Sequence, residues 1–318
     1  MLVVLELFLR TTAIQLPGVT RYDDTLGLAL KPDRPLVRFD EGFYMGGTNH
    51  FGYYGKGHPP EKPKGAFRVA LIGDSQVEGH QLFARDHFGA ILEAELARLT
   101  GVSVEVMNFG MSGLNLSDMY CYFVDFAGRF EPDVTFFLIG AGDIDKSPPR
   151  RERPYCELVA DSLVINYEFA GSPTFAWKQK TATFRGQSAV LNLVNRAREV
   201  YGRGLAPEVL LGKFWPASPA RAESPGDVSL TETTRRILEE LAGRGDVCLL
   251  MADSLPDDVV AAMMEEYGCA IDLRDPLNQV EGDPRYWIAT DQVGHWNHEA
   301  HKAVGVFLAG ELSDRPPR

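Results

Sequence analysis

A serine and a histidine far apart in the chain have the residue types and local settings of a nucleophile and its base. Ser75 lies in Gly73-Asp74-Ser75-Gln76, directly after the apolar run 69–72. His295 lies in Asp291-Gln-Val-Gly-His295, just before residues of helical apolar spacing. A serine hydroxyl is a poor nucleophile until an imidazole removes its proton, so the pair predicts acyl-transfer chemistry. A Gly-Asp-Ser triplet alone is weak evidence, because its three residue types are common.

Such a pair works best with a carboxylate on the second imidazole nitrogen, which holds the tautomer and stabilises the imidazolium. Asp291, four residues before His295, is the candidate in this segment. A turn acid that faces water is the alternative interpretation of Asp291. Ser75 could instead cap the helix that follows it, and His295 could make a structural hydrogen bond at a helix start.

Five apolar runs of strand length alternate with helical patterns along the chain. They are Phe67–Ile72, Val102–Met107, Val134–Ile139, Val247–Met251 and Cys269–Leu273. Continuous apolar strands separated by helices indicate a parallel sheet with both faces covered, so we predict an α/β protein with three α/β/α layers and a five-stranded parallel sheet. Ligands of such sheets bind beyond the carboxyl ends of the strands, where Ser75 falls.

The chain outside this alternation divides into a leading segment and an insertion. Residues 11–66 are rich in Gly, Pro and aromatic residues, and the leading segment 1–66 is predicted to wrap over the domain formed by 67–314. Residues 145–227 interrupt the alternation, either as a cap that selects substrates or as a surface excursion. The apolar segment 1–10 is shorter than the ~20 residues that cross a bilayer. It is either the end of a membrane helix or a helix docked on the protein.

Composition limits the class of partner and cofactor. The 318 residues are 45% hydrophobic and carry a net charge of −12, which disfavours the clustered positive field that nucleic acids need. The four cysteines show no Cys-x-x-Cys spacing, and we predict no disulfide framework. No acidic residue stands at zinc-site spacing from His295, His298 and His301, so we predict neither a metal nor another cofactor.

On four ordered blocks between Phe67 and Leu312, the chain resembles the SGNH (GDSL-type) hydrolases. The blocks are Leu71-Ile-Gly-Asp-Ser-Gln-Val-Glu-Gly79, Asn108-Phe-Gly-Met-Ser-Gly113, Gly140-Ala-Gly-Asp143 and Asp291-Gln-Val-Gly-His295. The resemblance implies a flavodoxin-like SGNH fold with an insertion and Ser75 as the nucleophile. It also implies that the amides of Ser75 and Gly113 form an oxyanion hole, where fixed dipoles are most effective.

Two positions depart from the family pattern. Block three normally carries an asparagine that donates to the oxyanion, and Gly142 stands there instead. Loss of one such donor typically costs roughly a hundred- to a thousandfold in rate. Asn115 is a candidate replacement, although asparagine in such a loop more often satisfies backbone groups. The family aspartate usually stands two or three residues before the histidine, whereas Asp291 stands four before.

The resemblance implies a serine-dependent ester hydrolase or O-acetyltransferase that acts on an acylated carbohydrate or a small ester. The alternative is a degenerate relative that binds a glycan or acyl ligand without turnover. Residues 49–55 resemble segments that precede membrane-linked, polysaccharide-modifying members, which implies exopolysaccharide chemistry at the cell envelope, outside the cytoplasm, with membrane association through the N-terminus. A cytoplasmic location is the alternative.

Gly140–Asp143 is also similar to a dinucleotide loop, but it lacks the third glycine and follows the third strand.

Overall fold

The computed structural model describes residues 1–12, 18–38, 41–144, 152–185, 188–194, 230–287 and 292–314. The strands are β1 (Thr20–Asp23), β2 (Gly27–Leu30), β3 (Pro35–Arg38), β4 (Tyr44–Gly47), β5 (Ala66–Gly73), β6 (Ser103–Gly110), β7 (Val134–Ile139), β8 (Tyr155–Val159), β9 (Ser162–Asn166), β10 (Val247–Met251), β11 (Ala270–Asp272), β12 (Tyr286–Trp287) and β13 (Gln292–Val293). The helices are α1 (Leu2–Thr11), α2 (Ser75–Glu78), α3 (Phe88–Thr100), α4 (Leu116–Asp125), α5 (Ala141–Ile144), α6 (Pro173–Arg185), α7 (Glu232–Ala242), α8 (Asp257–Glu266), α9 (Arg274–Leu277) and α10 (His298–Ser313).

The central sheet has five strands, all parallel, in the order β11-β10-β7-β5-β6. The predicted α/β class and the five predicted strands are confirmed. Numbered along the chain, the five strands run 2-1-3-4-5, which is the flavodoxin-like order. The order reverses between β5 and β7, and the crevice at such a switch point is where these sheets bind ligands. Ser75 follows β5 directly.

Helices cover both faces of this sheet, as continuous apolar strands require. Every residue of β5 is buried. On one face, Phe123 of α4 and Leu241 of α7 join the core, and on the other, Leu92 of α3 and Val304 of α10 do so. The result is the predicted three-layer α/β/α arrangement.

Part of the leading segment lies against an edge strand of the sheet. Two antiparallel hairpins, β1–β2 and β3–β4, precede a bridge in which the Tyr54 N–H donates to the Asn108 carbonyl at 3.2 Å. Asn108 belongs to β6, an edge strand, and an open edge would otherwise present unpaired backbone groups. Residues 41–43, just before β4, lie beside the segment that follows the carboxyl end of β5, where the Phe43 N–H donates to the Gln81 carbonyl.

The apolar segment at the start of the chain forms α1, which is held by one acidic side chain. Glu6 accepts the N–H groups of Ala189 and Val190 and the hydroxyl of Ser188. These hydrogen bonds lower the pKa of Glu6 to about 2, and the bond from the Val190 N–H has the largest effect. Most other side chains of α1 are exposed. None of the helices formed by the described residues is long and apolar enough to cross a bilayer.

The insertion is described in part, as the hairpin β8–β9, the helix α6 and the helical residues 189–194. The rest of 145–227 lies outside the described residues. Strand β8 packs beside α4, where the Cys156 N–H donates to the Ser117 hydroxyl at 2.7 Å. The described part therefore lies next to the helix that follows Gly113, and the cap function stays a prediction.

The expectation of unbridged cysteines is wrong for one pair. Cys248 of β10 and Cys269, just before β11, form a disulfide with Cα atoms 4.7 Å apart. The two strands are parallel neighbours, so the sheet brings together cysteines that stand 21 residues apart. Spacing in the sequence carries no sign of that pairing. Cys121 and Cys156 are buried and unbridged.

Candidate active site

Ser75 is the first residue of α2, the one-turn helix that begins where β5 ends. The Asp74 carboxylate accepts the Gln76 N–H at 2.9 Å and so caps this turn. Asp74 is therefore the capping residue, and the Ser75 hydroxyl is left for other partners. The sharp passage from strand to helix puts that hydroxyl at the carboxyl edge of the sheet.

The structure brings Ser75 and His295 together. The distance from Ser75 Oγ to His295 Nε2 is 2.8 Å, which is hydrogen-bond distance. The backbone around the histidine is held from two sides. The Trp287 indole N–H donates to the His295 carbonyl at 3.1 Å, and the Trp296 N–H donates to the Gln76 side-chain oxygen at 3.1 Å. The second bond ties the histidine segment directly to the helix that carries Ser75.

The carboxylate on the other side of the imidazole is Glu41. Both of its oxygens lie 2.9 Å from His295 Nδ1, and Oε2 also accepts the His295 backbone N–H at 3.2 Å. The sequence did not single out Glu41. Asp291, the residue predicted for this position, lies outside the described residues.

Glu41 reaches the histidine because the leading segment is anchored beside the nucleophile turn. The Phe43 N–H donates to the Gln81 carbonyl at 2.9 Å, which fixes the chain two residues after Glu41. A Cβ added to Gly294 would lie 2.6 Å from Glu41 Oε1, so a glycine directly before His295 leaves room for the carboxylate. Gly294 is therefore the one feature near His295 in the sequence that is related to the contact with Glu41, and it does not identify which acidic residue makes that contact.

The negative charge of Glu41 and the positive charge of protonated His295 stabilise each other. Burial lowers the pKa of His295, but the hydrogen bond and negative charge of Glu41 outweigh it and raise the pKa above its usual value. Burial likewise raises the pKa of Glu41, and the interactions with His295 outweigh that and lower it. Glu41 is thus an anion at neutral pH that can stabilise an imidazolium. The His295 side chain remains 30% exposed, so the ring is partly accessible to solvent.

The predicted oxyanion loop lies against the same strand end. The Met111 N–H donates to the Gly73 carbonyl at 3.1 Å, and the Leu114 N–H donates back to the Met111 carbonyl at 3.2 Å. Gly113 lies in this turn with φ of +75°, a conformation that favours glycine. The turn that carries Ser75 and the loop that carries Gly113 are therefore tied through the last residue of β5.

No family model and no curated protein matches the sequence. Solved structures that match include a lipase/acylhydrolase from Enterococcus faecalis, at 15% identity and a TM-score of 0.41 over 79% of this chain and 98% of that one. Another is a lipolytic protein of the G-D-S-L family from Desulfitobacterium hafniense, at 13% identity and a TM-score of 0.35 over 76% and 98%. A third is a carbohydrate acetylesterase family member from Sinorhizobium meliloti, at 15% identity and a TM-score of 0.33 over 77% and 97%.

The strand order of this chain and the position of its blocks on that sheet carry the fold assignment. Ser75 and Gly113 follow β5 and β6, Gly140 follows β7, and His295 precedes the last helix. In strand order and in the positions of these blocks, the chain is similar to the SGNH hydrolase fold.

Two residues of the predicted oxyanion hole differ from what the SGNH pattern asks of them. Asn115 is the N-cap of α4: its side-chain oxygen accepts the Asp118 N–H at 2.9 Å, and the Asp118 side chain completes a capping box. This is the backbone role that the sequence left open, and a donor role for Asn115 stays a prediction. Gly142 lies in α5, where it is exposed and offers no side chain. Asp143 accepts the Gly140 N–H at 2.7 Å and stabilises the loop after β7.

His301, in the helix that follows the last block, has a structural role in the core. His301 is fully buried, and its Nδ1 accepts the Phe88 N–H at 3.1 Å, which ties α10 to the start of α3. Burial lowers the pKa of His301 well below its usual value, so the ring is neutral. Within the described part of the chain, no three His, Cys, Asp or Glu side chains are grouped to hold a metal ion.

Proposed function

We propose that this protein is a serine-dependent ester hydrolase or O-acyl transferase. Ser75 is the nucleophile, His295 is the general base, and Glu41 takes the orienting role predicted for Asp291. The main support is the 2.8 Å contact between Ser75 Oγ and His295 Nε2, with a carboxylate 2.9 Å from Nδ1 of the same ring. A serine is activated as a nucleophile when a histidine accepts its hydrogen bond and a carboxylate accepts a hydrogen bond from the other ring nitrogen.

In the first half of the proposed reaction, Ser75 Oγ attacks the acyl carbon while its proton passes to His295 Nε2. The imidazolium is stabilised by Glu41, which holds the Nδ1 proton. Negative charge develops on the carbonyl oxygen, and the backbone amides of Ser75 and Gly113 are the proposed donors to it. Collapse breaks the ester bond, and His295 returns the proton to the departing alcohol.

In the second half, His295 deprotonates the acceptor that attacks the Ser75 ester. Water as acceptor gives a carboxylic acid and completes hydrolysis, whereas a sugar hydroxyl gives a new ester and completes transfer. Both routes return the proton from His295 to Ser75 and leave the enzyme unchanged. The side chains around Ser75 serve either route equally.

The substrate class of this proposal is an acylated carbohydrate. It is supported by the SGNH resemblance of the ordered blocks and by the loose resemblance of residues 49–55 to polysaccharide-modifying members. The cell-envelope location stays a prediction, which fractionation of the source cells would test. The disulfide between Cys248 and Cys269 supports that location, since disulfides persist in oxidising compartments.

A fluorophosphonate probe tests the nucleophile without knowledge of the substrate. An activated serine displaces fluoride from such a probe, so we expect one phosphonyl adduct on the peptide that contains Ser75, read by mass spectrometry. Ser103→Ala removes an exposed serine at the opposite end of β6 and should leave labelling unchanged. Native protein that gains no adduct at Ser75 would contradict the proposal.

A second candidate function is binding of a glycan or acyl ligand without turnover, and Gly142 favours it. The position that carries an oxyanion donor in the SGNH pattern has no side chain here. A Cβ added to Gly142 would meet no atom within 4 Å, so the position has room for a larger residue.

Gly142→Asn separates the two functions. We expect this substitution to raise kcat for a small acetyl ester by roughly ten- to a hundredfold, because it adds one donor at the developing oxyanion. Gly310→Asn is the matched control: Gly310 is also helical, exposed and free of contacts at its Cβ, and it lies near the far end of α10. Ester turnover that stays at background in both variants would favour the binding function.

A further inference from the structure

Glu78 is a buried carboxylate on the same helical turn as Ser75. Its residue is 6% exposed, although a glutamate is seldom buried without partners. The partners are donors from three segments: Ser112 through its hydroxyl and its backbone N–H, Tyr54 through its hydroxyl, and His80, whose Nδ1 lies 3.2 Å from Oε2. The mechanism proposed above uses none of these contacts.

Ser112 is the residue directly before Gly113, so the carboxylate of Glu78 holds the loop that carries the proposed oxyanion amide. The loop is held from the strand side as well, through the bond from Met111 to Gly73. A Cβ added to Gly110 would overlap the backbone of α2 at Val77 and Glu78, so β6 ends in direct contact with the nucleophile helix. The Glu78 side chain extends this contact to Ser112, within the loop.

The groups that surround Glu78 are hydrogen-bond donors, which suits a carboxylate that accepts. Burial raises the pKa of Glu78 above its usual value, and the donors from Ser112 and Tyr54 and the charge of Arg38 offset only part of that rise. Burial lowers the pKa of His80 to about 3, so its ring is neutral and carries one proton. An ionised carboxylate has no proton of its own and can accept from all of these donors at once. A glutamine cannot, because its NH₂ group would face one of them.

We propose that Glu78 is a positioning residue that sets the Gly113 amide relative to the Ser75 amide. Ser75 and Glu78 stand three residues apart on one turn, so the nucleophile and the clamp on the oxyanion loop belong to one rigid unit. Donors stabilise an oxyanion only when they lie within about 2.7–3.1 Å of where it forms, so a small shift of the loop costs rate. This inference rests on the proposed function and deepens it.

Two substitutions remove the clamp to different extents. We expect Glu78→Gln to lower kcat for a small acetyl ester by about ten- to a hundredfold with little change in KM, because the lost contact acts on the transition state. Ser112→Ala keeps the backbone contact and removes only the hydroxyl, so we expect a smaller loss, roughly three- to tenfold. Ser112→Thr retains a hydroxyl, so its kcat should stay close to that of the wild type.

A boronic acid inhibitor provides a readout that a merely structural role would not move. The boronate adds to Ser75 Oγ and becomes tetrahedral, with one oxygen in the position of the oxyanion. We expect its affinity to fall in Glu78→Gln and Ser112→Ala by the same factor as kcat/KM. Glu105→Gln is the matched control: Glu105 is a buried carboxylate at the amino end of β6 that pairs with Arg68 at 2.6 Å. It should lower Tm but leave kcat and boronate affinity unchanged.

The outcomes distinguish this inference from the proposed function. Active wild type with unchanged kcat and boronate affinity in a folded Glu78→Gln would overturn the positioning role alone. Should Glu78→Gln fail to fold, the comparison of Ser112→Ala with Ser112→Thr decides in the same way. Wild type without Ser75-dependent turnover or boronate binding would overturn both the function and the inference.

Discussion

Replacement of Ser75 by alanine is expected to lower kcat for a small acyl ester by roughly 10⁴- to 10⁶-fold, the range seen when a catalytic serine is removed. The variant cannot form an acyl-enzyme, and its residual rate would come from binding and the backbone amides alone. The fold should be unaffected, because the hydrogen bonds of the Ser75 hydroxyl within the described part of the chain go to His295 and, at 3.4 Å, to Asp74.

The measurement is a panel of short acyl esters with wild type and Ser75→Ala, each with and without a sugar acceptor. Ser103→Ala again serves as the control for loss of a serine elsewhere. An acceptor that raises ester consumption and yields an acylated sugar would identify a transferase, whereas release of free acid alone would identify a hydrolase. Turnover that survives in Ser75→Ala would contradict the assignment of the nucleophile.

Replacement of Glu41 by glutamine is expected to lower kcat by about 10⁴-fold, as the equivalent acid-to-amide change does in serine proteases. A glutamine amide can donate to His295 Nδ1, which would leave the ring proton on Nε2. In that tautomer Nε2 cannot accept the Ser75 proton. Glu41 also bonds the His295 backbone N–H, so orientation of the whole residue depends on it.

The pH profile of the same variant separates an electrostatic role from a loss of shape. The base must be neutral, so activity of wild type should fall as pH falls through the pKa of His295, which Glu41 raises above its usual value of about 6.5. Removal of the negative charge lowers that pKa, so the acidic limb of kcat/KM should move to lower pH in Glu41→Gln. An acidic limb of kcat/KM at the same pH in wild type and Glu41→Gln would contradict the proposed interaction between the charges of Glu41 and His295.

Asp291→Asn, made alongside Glu41→Gln, distinguishes the two carboxylates. The geometry at Nδ1 gives Glu41 the orienting role, so the large loss should follow Glu41. A loss confined to Asp291→Asn would return that role to the residue predicted from the sequence. Thermal unfolding of both variants checks that each remains folded.

The sheet could be predicted because its signal is local. Each buried parallel strand must be apolar on both faces, so runs such as Val134–Ile139 identify themselves without reference to their neighbours. Ser75 could be predicted for a similar reason, since its turn must follow such a strand and its neighbours must allow the turn. His295 follows from its place before the last helix. These assignments need only a few adjacent residues.

Contacts between residues that are far apart in the sequence were decided by the tertiary structure. Glu41 stands 254 residues from His295, in a segment between two short strands with no pattern of its own, and only folding puts its carboxylate 2.9 Å from the ring. Cys248 and Cys269 meet in the same way, because two strands become neighbours in the sheet. The sequence by itself determined the strands, the turn that carries Ser75 and the position of His295 before the last helix. The acid, the disulfide and the clamp from Glu78 to Ser112 depended on packing, since a hydrogen bond or a covalent bridge requires proximity and not a particular spacing along the chain.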